Sequence, residues 1–230
     1  MRIVGCEILH CNAGWRDFSF LKLMTDENIT GISEYNECYG SPGLSGIIRR
    51  LVERVKDMDP LAHEHIHQCL YAATRQAPGG VNQQAIAAIE NALLDIKGQA
   101  LNIPVYDILG GAIRKEIPVY WSHCGTYIWR PEIAELCGVE AIRKTEDLVN
   151  LGKRVKDQGF LGLKTNMITF NEDVGASLYM PGTAGRPGWP DLNVPSSLIG
   201  QLRDQLIAMQ EGAGPDVGVR LDLNFNFKPE

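Results

Sequence analysis

One change of rhythm constrains this 230-residue chain more than any other feature. Up to about residue 115 it reads as short strands followed by helices, and from about residue 116 strands and helices alternate. Strands in a run and then helices build layered α+β units, whereas βαβαβ order demands parallel strands joined by right-handed crossovers, as in a doubly wound sheet or a (β/α) barrel. The break therefore predicts two domains, an α+β domain over 1–115 and the opening part of an α/β domain over 116–230.

Within the first part, residues 2–9 (RIVGCEIL), 18–25 (FSFLKLMT) and 29–35 (ITGISEY) have the β-branched and aromatic content of strands and form a three-stranded antiparallel meander. The intervening HCNAGWRD, 10–17, carries an aromatic ring and a guanidinium and reads as a polar binding loop. Ser41 and Pro42 give an N-cap and a first-turn proline, followed by an apolar stripe of Leu44, Ile47, Ile48, Leu51, Val52 and Val55. Asp59 and Pro60 repeat the start signal before a weaker stripe of Leu61, Ile66, Cys69, Leu70 and Ala73. A third helix, about 82–100, places Ile86, Ile89, Leu93 and Ile96 on one face, and Pro104 stops its continuation.

In the second part IPVYW (117–121), FLGLK (160–164) and VGVRLDLN (217–224) are the strands. Between the first two lies a helix over 145–157 with Leu148, Leu151 and Val155 inward and Gly159 beyond its end. A Gly- and Pro-rich loop, 175–195, then leads to a helix capped by Ser196 or Ser197 and bearing Leu198, Leu202, Leu206 and Met209.

Charge narrows the partners. The net charge of −6 and the absence of a dense basic run argue against a nucleic-acid partner, whose affinity comes from Lys and Arg displacing counterions. No apolar run approaches the ~18 residues of a membrane span, so no membrane partner is expected. Six cysteines without a CxxC pair, and an N-terminus lacking a signal peptide's apolar stretch, predict free thiols and a cytoplasmic protein.

In either parallel architecture ligand chemistry gathers at the strand ends. There stand Ser122-His123-Cys124, Lys164-Thr165-Asn166 and Asp222-Leu223-Asn224. With a period of two, Lys164 and Asn166 share one side, as do Asp222 and Asn224. A strand-end carboxylate suits a hard cation such as Mg²⁺, and a lysine beside that cation can serve as a base. His63 and His67, one helical turn apart, have a spacing that can bind metal, but no carboxylate or cysteine partner lies nearby in sequence and the pair reads as a solvated helix face.

The run AIAAIENALLDIKGQALNIPVYDILGG, 85–111, resembles the helix and connector that join the capping domain to the barrel in the mandelate racemase and muconate lactonizing enzyme branch of the enolase superfamily. Meander, helices, a Pro-Val-Tyr strand, a lysine at the second barrel strand and Asp-x-Asn at the third are similar to that family along the whole chain. The resemblance implies a capping domain followed by an incomplete TIM-type barrel. It also implies acid-sugar dehydratase chemistry, in which a base removes the proton α to a carboxylate, Mg²⁺ stabilises the resulting enediolate and water is lost to leave a 2-keto-3-deoxy acid. By the same resemblance Asp222 is the first of three metal-binding carboxylates and Lys164 the first lysine of a Lys-x-Lys pair. Asn166 occupies the position where the base usually stands, a departure that disfavours a two-base racemase. Asn224 matches the polar residue two beyond the metal ligand, and His123 a substrate-contacting histidine. Trp15, Arg16 and Tyr39 lie on the segments that close over a sugar-acid substrate, where an arginine can pair bidentately with its carboxylate.

The length fits this less well. The cap takes about half of the 230 residues, and only three barrel strands are recognisable before the chain stops six residues after Asn224. One metal carboxylate of three predicts weak Mg²⁺ binding and little turnover by this chain alone. An incomplete barrel exposes a strand edge and apolar surface, so a homo-oligomer is expected. A racemase or cycloisomerase of the same superfamily, or a non-catalytic split chain acting through association, are the rival readings.

Overall fold

Alternation of apolar and polar residues fixes the first sheet. The computed structural model describes residues 1–14, 16–38, 41–123, 126–171, 175–181, 194–224 and 227. It divides the chain into two units, Met1–Lys115 and Glu116–Glu230. In the first, β1 (Ile3–Asn12), β2 (Asp17–Thr25) and β3 (Thr30–Tyr35) pair antiparallel in that order. On β2 every second residue, Ser19, Leu21, Leu23 and Thr25, is buried, as the period of a one-sided sheet requires. The covering helices are α1 (Leu44–Val55), α2 (His63–Ala73) and α3 (Gly80–Leu101), and the short α4 (Val105–Ile108) follows.

A single apolar cluster holds the unit, with Leu21 and Leu23 from the sheet, Ile48 and Val52 from α1, Ile66 and Leu70 from α2, and Ile86, Ile89, Leu93 and Ile96 from α3. Leucine and isoleucine burial at about 25 cal/mol per Å² of apolar surface is its main stabilisation. Helix α3 sits on β3 without side-chain clearance, since a Cβ on Gly31 would overlap the Ala92 carbonyl.

Three local expectations change here. The loop expected at 10–17 shrinks to a turn, because β1 runs on to Asn12, which pairs with Asp17 in register and donates its Nδ2–H to that carboxylate at 2.6 Å. Neither polar helix start is a side-chain cap. Helix α1 begins after Gly43 while the Ser41 hydroxyl bonds Gln84 at 2.6 Å, and Asp59 folds an Asx turn onto the Leu61 N–H at 2.9 Å ahead of α2. On α2 only Ile66 and Leu70 are buried, and Cys69 and Ala73 face solvent.

The second unit contains β4 (Trp121–Ser122), a 3₁₀ turn (Thr126–Trp129), α5 (Pro131–Leu136), α6 (Asp147–Asp157), β5 (Gly162–Asn166), β6 (Ile168–Asn171), β7 (Gly175–Leu178), α7 (Ser196–Ala213) and β8 (Gly218–Asp222). Strands β4, β5 and β8 form a parallel sheet in that order, the beginning of a (β/α) layer, and β6 with β7 makes a separate antiparallel hairpin. The strand expected over 117–121 is paired only at Trp121 and Ser122, since Ile117 and Val119 stand exposed with no ladder partner among the described residues. Asn224 also leaves the strand pattern: β8 ends at Asp222, and Asn224 adopts a left-handed backbone with φ 50°.

Helices α6 and α7 meet through two glycines. A Cβ on Gly152 would overlap the Met209 carbonyl, and one on Gly212 the Val149 carbonyl, so the helices touch reciprocally, backbone to backbone. Leu148, Leu151 and Val155 are buried on α6 as their spacing predicts. On α7 Leu198 and Met209 of the expected stripe are buried, Leu202 and Leu206 are half-buried, and Gln205, Ala208 and Ala213 complete the inward face. No N-cap bond from Ser196 or Ser197 forms, and Pro195 occupies the cap. The five described cysteines are unpaired. No described helix is long and apolar enough to cross a membrane.

Candidate active site at the ends of the parallel strands

Parallel pairing brings three strand ends to one edge. Ser122 lies beside Lys164, and Asn166 beside Asp222. Lys164 reaches across from β5 to β8 and places Nζ 3.0 Å from Asp222 Oδ2, with the two side chains 23% and 31% exposed. The Asp222 carboxyl is held below the ordinary aspartate range, first by the hydrogen bond from Lys164 and then by the Asn224 backbone N–H, which donates to Oδ1 at 3.0 Å; partial burial opposes them without prevailing. The left-handed turn at Asn224 is what brings that N–H back, so this residue serves Asp222 through its backbone.

A second couple stands at the neighbouring strand ends. His123, left-handed at φ 57° directly after β4, puts its Nδ1 2.5 Å from Asn166 Oδ1. The ring meets Tyr127 edge-on with centroids 5.5 Å apart. Asn166 is 3% exposed, and its backbone carbonyl accepts Gln205 Nε2–H at 2.7 Å. The same Gln205, fully buried on α7, donates to Thr165 Oγ1 at 3.0 Å and accepts the Ile168 N–H at 2.9 Å. Sequence patterning does not single out Gln205, because the stripe read from leucine spacing runs through Leu202 and Leu206 and leaves position 205 beside it; its spacing of seven from Leu198 and four from Met209 is the signal that could have found it.

Lys164, Asn166, His123, Asp222 and Asn224 are thus brought to one edge. Arg16 belongs to the first unit, at the β1–β2 turn, with its guanidinium 4.8 Å from the centre of the Phe18 ring. Trp15 and Tyr39 lie outside the described residues. His63 and His67 are half-buried against α3, contrary to a solvated face: His63 Nδ1 lies 3.3 Å from Lys97 Nζ and His67 Nδ1 3.3 Å from Glu90 Oε2.

Asp222 suits a hard divalent cation because it is an oxygen ligand kept ionised at neutral pH. It supplies one ligand, and no group of three His, Cys, Asp or Glu is assembled for a metal among the described residues. The arrangement offers an ionised carboxylate, an ammonium and a histidine whose ring is oriented by an amide, side by side. Such a set can bind an anion, neutralise developing negative charge and carry a proton.

Comparison with known proteins gives these groups a context. Residues 11–110 match the family model of the mandelate racemase / muconate lactonizing enzyme N-terminal domain. A D-galactonate dehydratase from Xanthomonas axonopodis pv. citri is 35% identical over 127 residues, 52% of this chain and 31% of that protein. The D-galactonate dehydratase family member RspA from Cellvibrio japonicus is 27% identical over 237 residues, covering 100% of this chain and 54% of RspA. A solved structure from Burkholderia xenovorans strain LB400, named for L-alanine-DL-glutamate epimerisation, superposes with a TM-score of 0.90 at 39% identity, covering 100% of this chain and 57% of that one. A second structure under that name is bound to magnesium and fumarate. The chain spans about half the length of RspA and of the Burkholderia protein.

Proposed function

We propose, on the premise that residues 11–110 belong to the mandelate racemase/muconate lactonizing enzyme N-terminal domain family of the enolase superfamily, that this chain contributes to magnesium-assisted dehydration of a sugar acid. The observation that carries the proposal is Asp222, an ionised carboxylate at the end of a parallel strand, fixed by Lys164 at 3.0 Å. Asp222 is the residue that would hold the cation. Magnesium, when bound, supplies Lewis-acid polarisation of the substrate carboxylate, an effect of several kcal/mol.

The chain's own groups have separate roles. Lys164 keeps Asp222 ionised and presents the remaining hydrogens of its ammonium to an anionic substrate. A base takes the proton α to the carboxylate, the freed electron pair forms the Cα–Cβ double bond, and the β-hydroxyl leaves as water after taking a proton from an acid. The enol then tautomerises to the 2-keto acid. Elimination needs one base and one acid, which agrees with an amide at position 166, since Asn166 accepts no proton at neutral pH. The dehydratase names of the sequence relatives support the same choice.

Epimerisation is the second reading, favoured by the 39% identity to the Burkholderia protein. The protein, incubated in D₂O with Mg²⁺ and a panel of sugar acids and acidic dipeptides, separates the two. A 2-keto acid product is the expected result. Deuterium exchange at the α carbon without keto product would give the reaction to epimerisation, and neither outcome on any substrate would sink both.

A further inference from the structure

We propose that Asn166 is a positioning residue that fixes the tautomer of His123, holding the proton on Nδ1 and making Nε2 the proton-accepting atom of the ring. The amide oxygen of Asn166 lies 2.5 Å from His123 Nδ1. An amide oxygen only accepts, so the ring nitrogen that faces it must be the donor. This holds in both charge states of the imidazole: neutral or cationic, Nδ1 keeps its hydrogen, and the proton that is exchanged is the one on Nε2. An amide turned the other way would present Nδ2–H and require the opposite tautomer.

Several features make Asn166 a fixed partner. It is 3% exposed, it sits on the central strand of the sheet, and its register with Asp222 is set by the β5–β8 ladder. Its backbone carbonyl is held by Gln205 at 2.7 Å and by the Thr165 hydroxyl at 2.8 Å. His123 is constrained in turn by its left-handed backbone and by the edge-on Tyr127 ring. The logic is that of a histidine oriented by a carboxylate or amide in acyl-transfer enzymes, where the wrong tautomer costs most of the rate. The position that lacks a base thereby acquires a different role, in which Asn166 takes no proton itself and sets where the neighbouring histidine can take one.

The catalytic use of Nε2 rests on the α-proton chemistry proposed above, whereas the tautomer does not. Nitrogen-15 correlation spectra of the imidazole rings test the tautomer without substrate or metal, with the His123 signals identified by their loss in His123→Gln. The expected result is an Nδ1–H pattern in the unsubstituted chain, a switch in Asn166→Leu to the Nε2–H pattern that neutral histidine ordinarily prefers, and restoration of Nδ1–H in Asn166→Asp. An Nε2–H pattern in the unsubstituted chain, or an unchanged Nδ1–H pattern in a folded Asn166→Leu, would overturn the proposal. Should Asn166→Leu fail to fold, the unsubstituted chain and Asn166→Asp decide, because Nε2–H in either contradicts it. A protein that forms no keto acid and still shows Nδ1–H at His123 would refute the reaction and leave the positioning role intact.

Discussion

The two units of this chain solve the problem of a stable interior in different ways. The first buries one contiguous apolar cluster drawn from its sheet and from α1, α2 and α3. The second buries fewer large side chains among its described residues and places a glutamine, Gln205, where a leucine would ordinarily sit. Hydrophobic burial is non-directional and tolerates small shifts, whereas hydrogen bonds specify positions to a few tenths of an ångström. Both units have buried hydrogen bonds, such as Tyr35 to Ser45 in the first, but those of Gln205 in the second run directly to the strand that carries Lys164 and Asn166. The contrast suggests that the first unit is built to hold together and the second to hold groups in place.

Substitutions can break this contrast, and the largest effect belongs to the apolar core. Ile89→Ala, at a side chain with 0% exposure, should lower the unfolding free energy by about 2–5 kcal/mol in urea titration. Gln205→Leu should cost about 1–3 kcal/mol despite adding apolar surface, because it strips partners from the Ile168 N–H, the Thr165 hydroxyl and the Asn166 carbonyl. A neutral or stabilising result would remove the distinction between the units.

Helix α7 offers an internal control. Gly212→Ala should destabilise by about 1–3 kcal/mol because its Cβ overlaps the Val149 carbonyl, outweighing the gain of up to about 1 kcal/mol in helix propensity. Gly200→Ala, on the same helix with nothing within 4 Å, should keep that gain and raise stability. Equal signs for the two, read from thermal melts, would refute the close contact.

The smallest effect is electrostatic. Because the Asp222 carboxyl is depressed in the folded chain, its contribution is present above about pH 4 and is lost as pH falls through the lower folded value. With the carboxylate 31% exposed, the expected contribution is about 1 kcal/mol or less. The difference in urea midpoint between the unsubstituted chain and Lys164→Met should shrink on acidification, and a difference independent of pH would place the lysine's role elsewhere.

The sequence made the first unit legible to within a few residues, because the alternation on β2 and the helical spacing on α1 and α3 are both one-faced and long. Its errors there came from turn chemistry. Ser41 and Asp59 have the right side chains for caps but use them on Gln84 and on a turn, which only tertiary partners decide. In the second unit Lys164 and Asp222 were legible as strand-end groups. Their mutual ion pair was not, since it depends on the β5–β8 register. The β6–β7 hairpin escaped notice because its strands, Ile168–Asn171 and Gly175–Leu178, are too short for alternation to show. The Asn224 turn was hidden for another reason: asparagine is compatible with both a strand end and a left-handed bend.

The glycine contact between α6 and α7 has a mechanical side. Gly212 lies seven residues beyond Gln205, two helical turns and about 10 Å along the axis, on nearly the same face. With no side chain at that contact to act as a compliant pad, α7 cannot roll or slide against α6 without backbone collision. The helix then works as a short rigid lever whose fulcrum is Gly212 and whose working end is the Gln205 amide. A methyl group inserted at the fulcrum would be felt first as a rotation of that amide, and so as a displaced Asn166 carbonyl, at a distance where no contact would suggest it.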